Sequence, residues 1–229
     1  QKLIAAYWSN AYLVDLAVGR MLEFLKAEGI YENTLIVFTS DHGSMMGSHG
    51  LAAKDVQYEN AIRVPLAIKL PGHPIPQTVS TNVSQVDIVP TVLGVMDEVL
   101  PKNLPGTNIL KLAENLEKIP GEPIYVERNS LQMLSPSPIN QPAGERFAES
   151  QLADPIIRTV INQNNWKLNL SNTHENELFD LNTDPLEMKN LFNDPKYKTT
   201  RDSLRCNLKE WQEKTSDAEN LSIQDKFDE

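Results

Sequence analysis

The sequence predicts an α/β protein, with a helix and a buried strand in its first half and a strand hairpin followed by a helix in its second. Three observations carry this. A helical pattern over residues 3–28 leads through a short loop into an apolar run, Leu35-Ile36-Val37-Phe38, which is too short for a buried helix and rich in branched and aromatic types. Further on, Ile156–Ile161 and Trp166–Leu170 read as two strands joined by Asn162-Gln163-Asn164-Asn165, a hairpin signal. Last, Leu204, Leu208 and Trp211 fall on one face of a helical stretch at 199–214.

The elements follow in order. Leu3, Tyr7, Tyr12, Leu16, Leu22 and Leu25 recur near helical spacing, and Gly29 is a natural stop. Tyr31 to Thr34 form a short connection of the kind found in compact α/β units. The run at 35–38 then reads as a fully buried strand in a parallel sheet, one half of a doubly wound fold. Residues 55–63 read as a short helix or irregular segment. Val64–Leu70 is a second strand, with Pro65 at its start and Pro71, Gly72, Pro74 and Pro76 ending it. His73 among them reads as a solvated loop histidine. Asp87, with Pro90 in the first turn, starts an apolar helix that runs to Met96. Ile124–Glu127 is a strand, Ser130–Arg146 a proline-rich loop, and Glu177–Leu181 a strand entering the turn Asn182–Pro185. Two domains are expected, 1–110 and 111–229.

Composition narrows the function classes. The chain has 229 residues and a net charge of −10. That balance argues against a nucleic-acid surface, while leaving room for an anionic substrate in one local cationic pocket. Cys206 is the only cysteine, so no intrachain disulfide can form; it reads as a partly buried helix residue. No run approaches the ~20 apolar residues of a membrane span. Gln1 opens straight into the helical pattern, with no basic start or cleavage site, so no signal peptide is expected, and the chain reads as a piece of something longer. There is no internal repeat and no zinc-type Cys/His cluster.

Chemistry concentrates after the first strand. It stops at Thr39-Ser40, and Asp41-His42-Gly43 follows at once. Ligands of open α/β sheets bind at the carboxyl ends of strands. Asp41 offers a hard oxygen donor and His42 an imidazole suited to zinc, manganese or iron. The plainer reading is that Asp41 caps a turn and His42 is a satisfied polar residue, and the dipeptide by itself leaves both open. Gly43, Gly47 and Gly50 let the backbone turn tightly, and Lys54 brings a compact positive charge. Asp180, Asp184 and Glu187 read as turn and capping acids rather than a second metal site.

Taken together, these segments resemble the sulfatase family of the alkaline-phosphatase-like superfamily. The match is TSDHG at 39–43, a Gly-rich turn containing His49-Gly50, Lys54, and YENAIRVPLAIKLPG at 58–72. Tyr7, Val14-Asp15, Val18-Gly19-Arg20, Leu22 and Leu25 match the helix that precedes the strand in that family. SQVDIVPTVLGVM at 84–96 and ELFDLNTDPLEMKNL at 177–191 match its later segments. The resemblance implies the second half of an alkaline-phosphatase-like sheet with flanking helices, plus a small C-terminal antiparallel sheet packed on a helix. In those terms 1–110 is the C-terminal half of the catalytic α/β domain and 111–229 a C-terminal α+β subdomain.

The resemblance also implies a site. Asp41 and His42 would be two ligands of a divalent metal, calcium in most members, with His42 also admitting manganese or another ion. Lys54 would be the catalytic cation that binds the substrate sulfate. His49 would either touch the substrate or order the turn. The family's nucleophile is a formylglycine made from Cys or Ser in a C/S-x-P-S/A-x-R motif, which this chain lacks; Cys206, in RDSLRCNLKE, has no Pro-x-Arg after it. The expected whole is therefore a sulfatase whose N-terminal half carries the formylglycine. Its partners would be that missing half and a sulfate ester, such as a sulfated carbohydrate. Two alternatives remain: a phosphonate or phosphodiester hydrolase of the same superfamily, and a non-catalytic relative that binds sulfated glycans. Relatives are often exported or lysosomal, which leaves the compartment of this chain open.

Overall fold

The computed structural model describes residues 2–52, 54–72, 76–110, 122–129, 155–219 and 221. His73 and the Ser130–Arg146 segment lie outside the described residues. The chain divides into two compact units. The first comprises residues 1–54, 60–80 and 84–118; the second comprises 55–59, 81–83 and 119–229. Among the described residues no helix is long and apolar enough to cross a membrane.

In the first unit, helix α1 (Lys2–Ala27) ends at Gly29, whose φ of 70° is the left-handed conformation that glycine tolerates best. A 3-10 turn (Tyr31–Asn33) leads to strand β1 (Ile36–Thr39). Helix α2 (Glu59–Ile62) is a single turn, and strand β2 is Leu66–Lys69. β1 and β2 pair antiparallel, Val37 opposite Ile68 and Phe38 opposite Ala67. This corrects the expectation of a buried parallel strand. Two strands cannot cover both of their own faces, and Phe38 remains 41% exposed. The α1 stripe differs in the same way: Leu22 and Leu25 are half-buried, whereas Tyr7, Tyr12 and Leu16 are exposed.

Helix α3 (Ile88–Val95) begins as the acidic start signal predicts, through a 3-10 turn at Gln85–Asp87. The Asp87 carboxylate accepts from the Ser84 N–H at 2.8 Å and, from its other oxygen, the Thr107 N–H at 2.8 Å. One side chain thus closes the turn that leads into the helix and holds the loop after it. Gly106 is required there: a Cβ would lie 2.3 Å from the Val86 carbonyl oxygen, and its φ is +87°.

The second unit is a four-stranded antiparallel meander, β3 (Ile124–Arg128), β4 (Ile157–Ile161), β5 (Trp166–Ser171) and β6 (Glu177–Asp180), packed on helix α4 (Lys198–Thr215). Alternation along the strands gives the sheet two different faces. Val160, Leu168 and Leu178 stand in register across β4, β5 and β6, and pack with Leu170, Leu191, Phe192, Leu204 and Leu208 into one core. Full burial of each such side chain is worth about 1.5–3 kcal/mol, which makes this face the main source of the unit's stability. The opposite face carries Thr159, Lys167, Asn169, Glu177 and Phe179. Cys206, expected partly buried, is exposed on α4, because the inward stripe is taken by Leu204 and Leu208.

The end of α4 is clamped to the sheet. Arg158 on β4, buried, donates from Nε and Nη2 to the two Asp217 carboxylate oxygens at 2.7 and 2.9 Å, and Gln212 donates to the same carboxylate. The Arg158 guanidinium is the main reason that the Asp217 carboxyl titrates at about 2. Asp217→Ala strips a buried guanidinium of its partner and should lower stability by about 3 kcal/mol at neutral pH, read from urea denaturation. The folded pKa lies below the unfolded carboxylate value of about 3.9, so the stabilisation is fully present above that pH and lost as pH falls through about 2. The stability gap between the wild type and Asp217→Asn should narrow across that window.

Candidate functional site

The site begins where β1 stops. Beyond Thr39 the chain leaves the ladder and turns at Ser40–Gly43. The Ser40 hydroxyl donates to the His42 carbonyl at 2.9 Å, and the Gln85 side-chain amide donates to the Ser40 carbonyl, which holds the turn from the segment that starts α3. The Gly43 N–H donates to the Ala61 carbonyl at 2.7 Å. A side chain at residue 43 has no room, since a Cβ would sit 2.1 Å from the Asn60 carbonyl oxygen. Gly43 is therefore needed for this close approach of α2, more than for a turn of its own.

Within that frame Asp41, His42 and Lys54 come together. The Asp41 carboxylate accepts the His42 N–H at 2.9 Å, which is the main reason its carboxyl titrates below the usual carboxylate range. The His42 Nδ1 lies 2.8 Å from the Gly43 carbonyl. A carbonyl only accepts, so the hydrogen-bond network assigns the ring hydrogen to Nδ1. Nε2 then presents its lone pair, 2.5 Å from the Lys54 Nζ and 3.4 Å from an Asp41 carboxylate oxygen. An imidazole nitrogen whose other nitrogen is fixed on a backbone carbonyl is the usual arrangement of a metal-ligating histidine.

The donor chemistry suits a divalent cation only in part. Asp41 and His42 provide one oxygen and one nitrogen. Among the described residues no group of three His, Cys, Asp or Glu side chains is placed to hold a metal. A structural or catalytic centre takes at least three protein donors, and calcium takes six to eight oxygens, so these two residues can form one edge of a site and not the whole.

His49 lies in the 3-10 turn Ser48–Gly50 at φ 52° and is half-buried, in a loop anchored by Met45, which is buried. The residues that sequence reasoning missed are Gln85, which braces the Ser40 carbonyl across 45 positions, and Asn60-Ala61, whose backbone meets Gly43. No local pattern marks such contacts. Asp184 does what turn chemistry predicts, accepting the Met188 and Lys189 N–H groups. Glu187 does not: it is buried, at φ 56°, with its carboxylate 2.6 Å from the Lys167 ammonium.

Comparison with known proteins gives the family and the fold. The sulfatase family model matches residues 1–98. The uncharacterized sulfatase YidJ of Escherichia coli is 32% identical over 212 residues, 92% of this chain and 38% of its own length. A protein solved with its substrate D-glucosamine-2-N,6-O-disulfate superposes with a TM-score of 0.72 at 25% identity, covering 93% of this chain and 41% of that one. A phosphonate monoester hydrolase of Agrobacterium radiobacter superposes with a TM-score of 0.70 at 26% identity, covering 88% of this chain and 39% of that one. This chain belongs to the sulfatase family and has its alkaline-phosphatase-like fold. It spans about two fifths of the length of the relatives it matches.

Gly43→Ala tests the local geometry. The methyl group must push Asn60 away and break the Gly43–Ala61 hydrogen bond. A loss of about 1–3 kcal/mol in thermal or urea unfolding is expected, with faster hydrogen exchange at the residue 43 amide.

Proposed function

We propose that this chain is the part of a sulfatase that supplies two metal ligands, Asp41 and His42, and the sulfate-binding cation, Lys54. The whole protein would hydrolyse a sulfate ester, breaking the ester's S–O bond with water to release an alcohol and hydrogen sulfate. The observation that carries this reading is the convergence of the Asp41 carboxylate, the His42 Nε2 lone pair and the Lys54 ammonium at the carboxyl end of β1, in a chain of this family.

The chain's own groups account for the binding chemistry. A sulfate monoester is an anion, and charge on its sulfuryl oxygens must be offset as the S–O bond breaks. Lys54 is a compact ammonium with three donors, suited to an anion's oxygens. In the structure it rests on His42 Nε2, the lone pair that a metal would take. Metal at Asp41–His42 would displace Lys54 from that contact and free it for the substrate. Bound there, a divalent cation would supply further positive charge to the same anion. Calcium is the family's usual choice, and the imidazole of His42 leaves manganese a competitor.

The nucleophile, a formylglycine in this reading, belongs to residues outside this chain. Support comes from the share of the relatives that the chain spans and from the apolar surface of α1. Trp8, Tyr12, Leu13, Met21 and Phe24 are all 60% exposed or more, and a patch of that kind marks an interaction surface. The missing N-terminal half is the partner we assign to it. Missing the nucleophile, the isolated chain would be inactive. A sulfated carbohydrate is the proposed substrate class, supported by the sulfated glucosamine bound to the solved relative. The fold match to a phosphonate monoester hydrolase favours one second reading, a phosphonate or phosphodiester substrate at the same site.

The test is the full-length gene product assayed side by side on an aryl sulfate, a phosphonate monoester and a phosphate diester. Preferred turnover of the sulfate, and none by the 229-residue chain, is expected. Lys54→Ala should lower kcat/KM by roughly 100-fold or more, and Asp41→Asn should weaken divalent-metal binding at least about tenfold by calorimetry. Preference for the phosphonate would transfer the site to the second reading. Tight glycan binding with no hydrolysis of any ester would make the protein a binding module.

A further inference from the structure

The polar face of the four-stranded sheet has no role in the reading above, yet it is buried. Lys167, on β5, has a side chain with no exposed surface. Its ammonium lies 3.0 Å from a Glu59 carboxylate oxygen and 2.6 Å from one of Glu187. The other Glu187 oxygen accepts the backbone N–H of Glu59 at 2.6 Å. Next to Glu59, the Tyr58 hydroxyl donates to Glu177 at 2.8 Å, and its ring packs at a tilt on Phe179. Glu177 in turn accepts from Asn169, and Asn169 from Thr159. Lys167, Asn169, Glu177, Phe179 and Thr159 all stand on one face. That face is built to receive the short strap Asp55–Glu59 through two consecutive side chains and one backbone amide.

A buried ion pair of this kind adds little net stability compared with apolar packing, but removing one partner is severe. Its value here is registry, since each charge accepts only one arrangement of the strap. We propose that Lys167 is a positioning residue: through Glu59 and Glu187 it fixes the register of the Asp55–Glu59 strap on the polar face of the sheet.

Residue-resolved hydrogen exchange on the 229-residue chain is the test, comparing wild type, Lys167→Met and Asp217→Ala. In Lys167→Met the Glu59 amide should lose protection by roughly 100-fold while the β4–β5 ladder amides keep theirs. Asp217→Ala, which loosens the same unit elsewhere, should not single out Glu59. Should Lys167→Met fail to fold, Tyr58→Phe removes one strap bond alone and should raise exchange at residues 58–59 by about tenfold. Unchanged Glu59 protection overturns the proposal.

Discussion

A buried ammonium must keep its counter-charges, and Lys167 imposes that constraint on everything packed against it. Its two carboxylate partners come from widely separated places in the chain, Glu59 and Glu187. Burial pushes the Glu187 carboxyl up, and the Lys167 ammonium pulls it back. The Glu187 backbone accepts a left-handed conformation, uncommon for a residue with a side chain, to reach its position. A turn acid, a strap and a central strand are thereby tied to one arrangement. Apolar packing could supply equal stability, but it would tolerate small shifts that paired charges do not.

The four-stranded sheet and the two-stranded one solve their burial differently. The former has α4 and its Leu204–Leu208 stripe on one face and the strap on the other, so polar and apolar positions of the same strand are both enclosed. The latter leaves Phe38 exposed, and α1 carries a row of uncovered aromatic and aliphatic side chains. This exposure accompanies a chain that spans about two fifths of the length of the relatives it matches.

Several polar groups converge just after β1. A strand end, a glycine forced by the approach of Asn60, and a backbone carbonyl that captures His42 Nδ1 leave one imidazole lone pair facing outward beside a carboxylate and an ammonium. The arrangement sets one oxygen and one nitrogen donor side by side, with an ammonium resting on the nitrogen.

Local signals were enough for the elements and the nearby chemistry: the helix ending at Gly29, the strand ending just before Asp41-His42, the Asn162–Asn165 hairpin, the acidic start at Asp87 and the Leu204–Leu208 stripe. These depend on periodicity, capping and turn propensity, which act over a few residues. Lys54 stands out through the family resemblance of its segment, but its seat on His42 does not. The antiparallel pairing of β1 with β2, the Gln85 brace and the burial of Lys167 with Glu59 and Glu187 were decided only by tertiary structure. Each joins groups tens of residues apart. In the sequence Lys167 and Glu187 are ordinary surface charges, and only the packing of a strap over their face of the sheet removes the water that would otherwise solvate them.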